Sequence, residues 1–203
     1  MNLPNKLTLT RILLVPVFMI FVSLGQYITP SYNPRYYLIA GLIFAVASFT
    51  DFLDGHLARK WNMVTDFGKF ADPLADKLLT TVAFIYMMRD GVCSPVVLCI
   101  ILAREFAVSG LRMVAAGAKD GKVIAANMWG KAKTVSQMIA IIAVIAMQIV
   151  LELPEVGLNF INTATFEPIF FVVGEVLIWI SVVFTIISGI VYIIQNRQFI
   201  SQT

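Results

Sequence analysis

The chain has 203 residues, of which 59% are hydrophobic and only 13% are charged. Soluble domains carry about 25% charged residues, so this composition excludes an ordinary soluble protein and predicts an integral membrane protein. The formal net charge is only +3, and we expect the partners to be membrane lipids and not nucleic acid.

Six apolar runs follow one another along the chain, each close to the length of about 20 residues that a membrane-spanning helix needs. They extend roughly over Leu7 to Ile28, Arg35 to Phe52, Asp72 to Met88, Pro95 to Ala116, Thr134 to Leu153 and Pro168 to Ile194. Turn-forming residues separate them, as in Thr29 to Pro34 and Lys119 to Lys122. The first run lacks a convincing cleavage site, so we expect a retained helix and not a signal peptide. The predicted fold is all-α, with six transmembrane helices and a short amphipathic N-terminal segment in a single domain over residues 1–203.

The basic residues are distributed asymmetrically over the predicted connections. An even number of spans places both termini on one side of the membrane, and all of the 15 lysines and arginines except Arg35 and Arg89 fall on or toward that side. The positive-inside rule makes this side cytoplasmic. We therefore expect a multi-pass protein of the cell membrane with both termini in the cytoplasm.

Four aspartates stand at the same cytoplasmic side, where the second predicted helix ends and the third begins. Asp51 and Asp54 are three residues apart, and Asp72 and Asp76 are four apart, so each pair shares a helical face. Carboxylates near a bilayer are costly. Hard divalent cations offset that cost, because Mg²⁺ binds carboxylate and phosphate oxygens together. The pattern favours a two-metal site that holds a phosphoryl group in a cavity facing the cytoplasm.

The alternative is that these aspartates cap helices and pair with neighbouring basic residues at the headgroup level. The face-sharing spacing of all four favours the metal site. Gly55, Ala58 and Gly68 leave room near the predicted helix ends, although a glycine there is also an ordinary C-cap. Arg59 offers a fork that matches phosphate, or it extends to the membrane interface as arginines commonly do.

The whole segment resembles a known family signature. The pattern Asp51-x2-Asp54-Gly55-x2-Ala58-Arg59-x8-Gly68-x3-Asp72-x3-Asp76 matches the CDP-alcohol phosphatidyltransferases at every fixed position. The predicted six-span layout is also similar to that family.

The resemblance implies an enzyme that moves a phosphatidyl group from a CDP-linked lipid to an alcohol and releases CMP. It implies that Asp51, Asp54, Asp72 and Asp76 bind two divalent cations, Mg²⁺ or Mn²⁺, and that Asp76 is also the general base. It further implies a CDP-lipid site formed by Gly55, Ala58, Arg59 and Gly68, and a homodimer. Nucleophilic catalysis is not indicated. Cys93 and Cys99 are six residues apart, a spacing that on one helix would put them on different faces, and they are expected to be reduced thiols without a chemical role.

The acceptor alcohol has to be inferred from the fourth and fifth predicted spans. Arg104 and Arg112 are eight residues apart, within about 80° of each other on a helix, and Lys131 and Lys133 open the next helix. An arginine as deep as Arg104 should face a water-filled cavity or a partner such as Glu105 or a signature carboxylate. Together these cations indicate a site for the phosphate of an acceptor. The alternative is that the basic residues only set topology and attract anionic headgroups.

A second resemblance narrows the choice of acceptor alcohol. The opening NLPNKLTLTRILLVPVF and the later ARE, LR and GKAKT segments are similar to the bacterial phosphatidylglycerophosphate synthases within the family. This favours transfer from CDP-diacylglycerol to sn-glycerol 3-phosphate. Phosphatidylglycerol (as in a cardiolipin synthase), inositol phosphate and serine stay open as acceptors. A divalent-cation transporter is disfavoured, because the outer halves of the spans, such as Val82 to Met87, are nearly featureless.

Overall fold

The computed structural model describes the backbone of residues 3–27, 34–61, 66–117, 127–158 and 162–197, and side chains at 9–24, 35–50, 77–113, 115, 127–154, 157, 158 and 162–197. The described backbone contains six α-helices, a short 3-10 helix and no β-strand. The helices are α1 (Leu3–Tyr27), α2 (Pro34–Trp61), α3 (Asp66–Arg89), α4 (Pro95–Gly117), α5 (Met128–Glu152) and α6 (Thr163–Gln195), with the 3-10 helix at Leu153–Val156. The all-α prediction is confirmed.

Helices α2 and α3 are longer than the apolar runs that predicted them. The sequence predicted a second helix ending near Phe52, a third beginning at Asp72, and a connection of about 17 residues between them. Instead α2 continues to Trp61 and α3 begins at Asp66. The predicted boundaries were wrong because hydropathy detects bilayer contact, whereas leucine, alanine, arginine and lysine all propagate a helix into polar surroundings. The two predicted turns lie outside the described residues, except for Pro34, which begins α2.

The end of α3 and the start of α4 are fixed by local hydrogen bonds. Gly91 has a φ of 78°, and its N–H donates to Met88 O at 3.2 Å while Val92 N–H donates to Met87 O at 3.0 Å. This pair of bonds is a Schellman motif, which satisfies the last carbonyls of a helix and favours glycine at the left-handed position. The Ser94 hydroxyl then accepts the backbone N–H three residues later at 3.3 Å, and so caps α4.

Described residues from 1–86 and 141–171 form one compact unit. Its helices carry rows of buried residues at intervals of three and four: Arg11, Val15, Phe18 and Val22 on α1, Tyr37, Ala40, Phe44 and Ala47 on α2, and Leu79 and Ala83 on α3. Phe18 joins the three helices, since its ring centroid lies 5.9 Å from that of Phe44 and 6.2 Å from that of Tyr86. The Tyr86 hydroxyl lies 2.8 Å from Ser23 Oγ. Aromatic contacts of this kind set the register in which α1, α2 and α3 pack.

Described residues from 87–140 and 172–203 form a second compact unit. The buried face of α6 in this unit consists mainly of small or polar residues: Gly174, Ile178, Ser181, Val182, Thr185, Ser188, Gly189 and Tyr192. The Ser181 and Thr185 hydroxyls donate to backbone carbonyls of their own helix, both at 2.7 Å. Small side chains let neighbouring helices approach closely, as in other membrane helix pairs.

Among the residues whose side chains are described, two helices, Met128–Glu152 and Thr163–Gln195, are long and apolar enough to cross a membrane, and shorter apolar stretches occur at Leu9–Leu24 and Arg35–Thr50. Large apolar side chains are exposed along α6, with Val172 and Ile194 both 61% exposed. An apolar exposed face is expected where a helix meets lipid. The prediction of six spans and that of a single domain over residues 1–203 stay predictions.

The packing of α2 against α5 in the first unit predicts the effect of enlarging Gly41. A methyl group at this position would lie 3.0 Å from Ile145 Cγ2 and 3.8 Å from Ile149 Cδ1, and β-branched isoleucine has little rotamer freedom in a helix. We expect Gly41→Val to lower the free energy of unfolding by about 1–3 kcal/mol, measured by thermal unfolding in detergent.

Gly110 supplies the control, because a methyl group there would have nothing within 4 Å. Gly110→Val should leave the unfolding temperature nearly unchanged. If both variants lost the same free energy of unfolding, the loss would come from placing valine inside a helix and not from the contact with Ile145.

Candidate active site

The signature residues lie within two helices. Asp51, Asp54, Gly55, Ala58 and Arg59 belong to α2, and Gly68, Asp72 and Asp76 belong to α3. Their side chains lie outside the described residues, and only their positions along the backbone are used below. The expectation that the glycines mark helix ends was wrong, because both helices continue past them. A C-cap therefore does not explain either glycine.

The four aspartates lie at the same intervals of three and four residues as the buried residues of α2 and α3 in the first unit. On α2, positions 51 and 54 follow Ala47 by four and seven residues, which keeps them on the face that buries Ala47. On α3, positions 72 and 76 precede Leu79 by seven and three residues. The helical backbone thus places both aspartate pairs in line with inward-facing rows.

Four carboxylates at this spacing on two continuous helices form a donor set that suits a hard divalent cation. Among the side chains that the structure describes, no group of three or more His, Cys, Asp or Glu could hold a metal ion. The four aspartates do not belong to that described set.

The second unit contains a cluster of charged side chains, which we call the Glu105 cluster: Arg104 and Glu105 on α4 and Lys133 on α5. Arg104 Nη1 donates to Glu105 Oε1 at 3.2 Å, and Lys133 Nζ donates to the same oxygen. Lys133 is only 7% exposed. The expectation that Arg104 needs a partner such as Glu105 is confirmed.

Two glycines allow Arg104 to lie between neighbouring helices. A methyl group at Gly189 of α6 would lie 3.2 Å from Arg104 Cγ, and one at Gly130 of α5 would lie 3.8 Å from Arg104 Nη2. Arg104 Nη2 donates to Ser188 Oγ at 2.5 Å. Both terminal nitrogens of Arg104 are therefore engaged, and its Nε is buried without a hydrogen-bond partner among the described residues. Arg104 is part of the helix packing as well as a source of positive charge.

Arg112 has different surroundings. Its side chain is exposed, and its Nε donates to the Tyr192 hydroxyl at 3.2 Å. The guanidinium carbon also lies over the Tyr192 ring, 5.6 Å from its centroid, which is within the range of a cation–π contact. Of the predicted phosphate-binding cations, the structure brings Arg104 and Lys133 into one cluster, whereas Arg112 and Lys131 are exposed. Within the described part of the chain, the Lys131 side chain makes no hydrogen bond or ion pair.

Sequence reasoning missed a polar row on α6, of which Ser188 and Tyr192 accept hydrogen bonds from Arg104 and Arg112. Ser181, Thr185, Ser188 and Tyr192 are spaced by four, three and four, and all are buried. Gln137 of α5 donates to Thr185 Oγ1 at 3.3 Å. The sequence does show these polar residues at helical spacing within the apolar C-terminal run. The high hydrophobicity of the rest of that run made them easy to overlook.

Of the two cysteines, Cys93 is not a nucleophile at neutral pH. Both are free, as expected, but Cys93 precedes α4 and does not share a helix with Cys99. Burial raises the pKa of the Cys93 thiol to about 11, so the thiol stays protonated at neutral pH.

Comparison with known proteins identifies the family. The family model for CDP-alcohol phosphatidyltransferase matches residues 1–187. The chain belongs to this family. The prediction made from the signature is confirmed, and a CDP-alcohol phosphatidyltransferase with apolar helices of this length is a membrane-embedded protein.

Individual family members resemble the chain over most of its length. It is 40% identical to a Bacillus subtilis (strain 168) protein over 203 residues, covering 97% of this chain and 96% of the relative. It is 39% identical to a Rickettsia bellii (strain RML369-C) protein over 191 residues, covering 94% and 93%. It is 34% identical to a Shigella flexneri serotype 5b (strain 8401) protein over 180 residues, covering 88% and 90%. Each of these CDP-alcohol phosphatidyltransferases is named CDP-diacylglycerol–glycerol-3-phosphate 3-phosphatidyltransferase.

The Glu105 cluster predicts a large stability effect for Glu105→Ala. Its removal leaves Arg104 and the buried Lys133 without the carboxylate that they share, and breaking a buried ion pair from one side costs about 3–5 kcal/mol. We expect a clear loss of thermal stability for the purified variant in detergent.

Asp90→Ala is the matched control, because it also removes a carboxylate that pairs with an arginine. Asp90 lies 3.1 Å from Arg89 Nη2 in a partly exposed pair, and such pairs contribute about 0–1 kcal/mol. If Glu105→Ala were no more destabilising than Asp90→Ala, the Glu105 cluster would not be holding α4 to α5.

Proposed function

We propose that this chain transfers the phosphatidyl group of CDP-diacylglycerol to sn-glycerol 3-phosphate, giving phosphatidylglycerophosphate and CMP. The observation that carries the proposal is the register of the signature. Its four aspartates occupy positions that continue the buried rows of α2 and α3. Family membership and the names of the relatives support the same reaction.

The site binds the diphosphate of the CDP-lipid through metal. Asp51, Asp54, Asp72 and Asp76 would hold two divalent cations, Mg²⁺ or Mn²⁺. Such cations, when bound, neutralise the phosphoryl oxygens and the leaving group. Gly55, Ala58, Arg59 and Gly68 would bind the CDP-lipid: the small residues leave the backbone accessible to the nucleotide, and the guanidinium matches a phosphate oxygen pair.

The chemical step is a single displacement at phosphorus. The acceptor hydroxyl oxygen forms a bond to the phosphorus of the phosphatidyl group, and the bond from that phosphorus to the oxygen of CMP breaks. Asp76 takes the hydroxyl proton, and CMP leaves with the bonding electrons. Positioning and charge neutralisation dominate the catalysis of phosphoryl transfer, which agrees with the protonated state of the buried Cys93 thiol.

The acceptor phosphate would bind Arg104, Arg112, Lys131 and Lys133. Arg104 and Lys133 share the single carboxylate of Glu105, and Arg112 and Lys131 add two further positive charges, so positive charge remains for an anionic ligand. A dianionic phosphate monoester satisfies that excess, whereas serine or another acceptor without a phosphate does not. The same charge disfavours the cation-transport alternative.

We further propose the arrangement in which the enzyme works. The chain would cross the bacterial cell membrane six times as one domain, with an amphipathic N-terminal segment. Both termini and a polar cavity that holds the site would face the cytoplasm, where glycerol 3-phosphate and CMP are soluble. The enzyme would act as a homodimer among membrane lipids.

The direct test is CMP release by the purified protein with CDP-diacylglycerol, Mg²⁺ or Mn²⁺, and a panel of acceptors. We expect release with sn-glycerol 3-phosphate, and not with serine, inositol phosphate or phosphatidylglycerol. Release with one of the other acceptors but not with glycerol 3-phosphate would reject the proposed substrate and keep the reaction class. Absence of release with every acceptor would reject the enzyme assignment.

Asp76→Asn tests the proposed base. The amide is similar in size to the carboxylate but cannot accept the proton, so we expect CMP release to fall by a factor of about 10² or more while the variant is purified in normal yield. Asp90→Asn, which makes the same replacement outside the signature, should retain wild-type activity. Substantial turnover by Asp76→Asn would remove this residue from the role of base.

A further inference from the structure

The Tyr192 hydroxyl holds the Arg112 side chain by a hydrogen bond to one of its three guanidinium nitrogens. Arg112 Nε donates to the Tyr192 hydroxyl at 3.2 Å. A guanidinium has five N–H donors in a planar fork, and this bond uses only the one at Nε. Within the described part of the chain, Nη1 and Nη2 of Arg112 make no hydrogen bond. The edge that matches two oxygens of a phosphate is therefore not used by any residue that the structure describes.

Tyr192 is held firmly in α6. It is 2% exposed, it lies on the buried face of that helix, and its carbonyl accepts a hydrogen bond from Asn196 Nδ2 at 2.8 Å. Arg112, in contrast, is exposed, and a long exposed side chain loses considerable rotamer entropy when a ligand immobilises it. A fixed hydroxyl that already restricts the guanidinium lowers that cost before the ligand arrives.

Arg112 and Arg104 differ in the groups that they can offer to a ligand. Nη1 of Arg104 donates to Glu105 and Nη2 donates to Ser188, so its fork is occupied by the protein. Lys133 is bound to Glu105. Among the cations proposed for the acceptor phosphate, Arg112 is the described arginine whose terminal nitrogens are free to form two parallel bonds, which is the strongest way to bind a phosphate.

We propose that Tyr192 is a positioning residue of the acceptor site: its hydroxyl fixes Arg112 through Nε and presents Nη1 and Nη2 to the acceptor phosphate. This inference rests on the proposed function, because it takes sn-glycerol 3-phosphate as the acceptor. Tyr192 itself does not touch the acceptor. It determines how selectively Arg112 recognises a phosphate monoester.

Tyr192→Phe tests the inference, since it removes the hydroxyl and keeps the buried ring. We expect the KM for glycerol 3-phosphate to rise about fivefold, the factor that corresponds to one hydrogen bond. The kcat and the KM for CDP-diacylglycerol should stay within about twofold of the wild-type values, because the reacting groups and the lipid site are unchanged. A purely structural role would lower kcat or the amount of folded enzyme and would not act on one KM alone.

Tyr86→Phe is the matched control. The Tyr86 hydroxyl lies 2.8 Å from Ser23 Oγ and donates to Met19 O at 3.1 Å, so the variant also loses hydroxyl hydrogen bonds, but in the first compact unit. It should leave both KM values at the wild-type level. An equal rise in the glycerol 3-phosphate KM in both variants would overturn the assignment of Tyr192.

A double-mutant cycle with Arg112→Lys isolates the pair. Lysine keeps the positive charge but has no Nε–H to bond to Tyr192, and its exposed position makes folding insensitive to the change. We expect Arg112→Lys to raise the KM for glycerol 3-phosphate, and Tyr192→Phe to have no further effect in that background. Additive effects would overturn the inference. A wild-type KM in Arg112→Lys would overturn it even if Tyr192→Phe could not be purified.

The outcomes also separate this inference from the proposed function. If wild-type protein releases no CMP with glycerol 3-phosphate, the proposed substrate is wrong and the role of Tyr192 falls with it. If the wild type is active and Tyr192→Phe has an unchanged KM, only the role of Tyr192 is wrong.

Discussion

Charge inside an apolar helix bundle has to be compensated by other charge, and this constraint governs the described part of the second unit. Glu105 Oε1 accepts hydrogen bonds from both Arg104 and Lys133. Without it, two cations would be left in surroundings where desolvation costs several kcal/mol per ion. One carboxylate oxygen therefore ties the middle of α4 to the start of α5.

Helix α6 meets this constraint by having two different faces. Its exposed face consists of large apolar side chains such as Val172 and Ile194, as contact with lipid requires. Its buried face replaces bulk with small and hydroxyl-bearing residues, so that Arg104 can lie against Gly189 and bond to Ser188. A leucine at either position would exclude the guanidinium. The Glu105 cluster thus depends on the small residues of α6, which make room for Arg104 in a helix whose other residues are mostly hydrophobic.

The reaction class could be predicted from sequence because the signature has fixed spacing within single helices, where separations of three and four place residues on one face. The ends of α2 and α3 could not be predicted, because both helices continue beyond their apolar runs. The pairing of Arg104 with Glu105 was accessible, since the two are adjacent in sequence and a buried arginine needs an acceptor. The contacts of Ser188 and Tyr192 could not be predicted, because they join residues more than 75 positions apart. No local sequence pattern specifies which helices meet.

The proposed acceptor site combines two kinds of positive charge with different physical effects. Arg104 and Lys133 are fixed in helix packing and bonded to Glu105, so they contribute mainly through the potential that they create. That potential attracts any anion and distinguishes poorly between phosphate and carboxylate. Arg112 contributes directional hydrogen bonds, whose strength depends on how well the fork matches the ligand. Discrimination between phosphorylated and other acceptors should therefore depend on the orientation of Arg112 more than on the total charge. The hydroxyl of Tyr192 controls that orientation although it lies outside the binding surface.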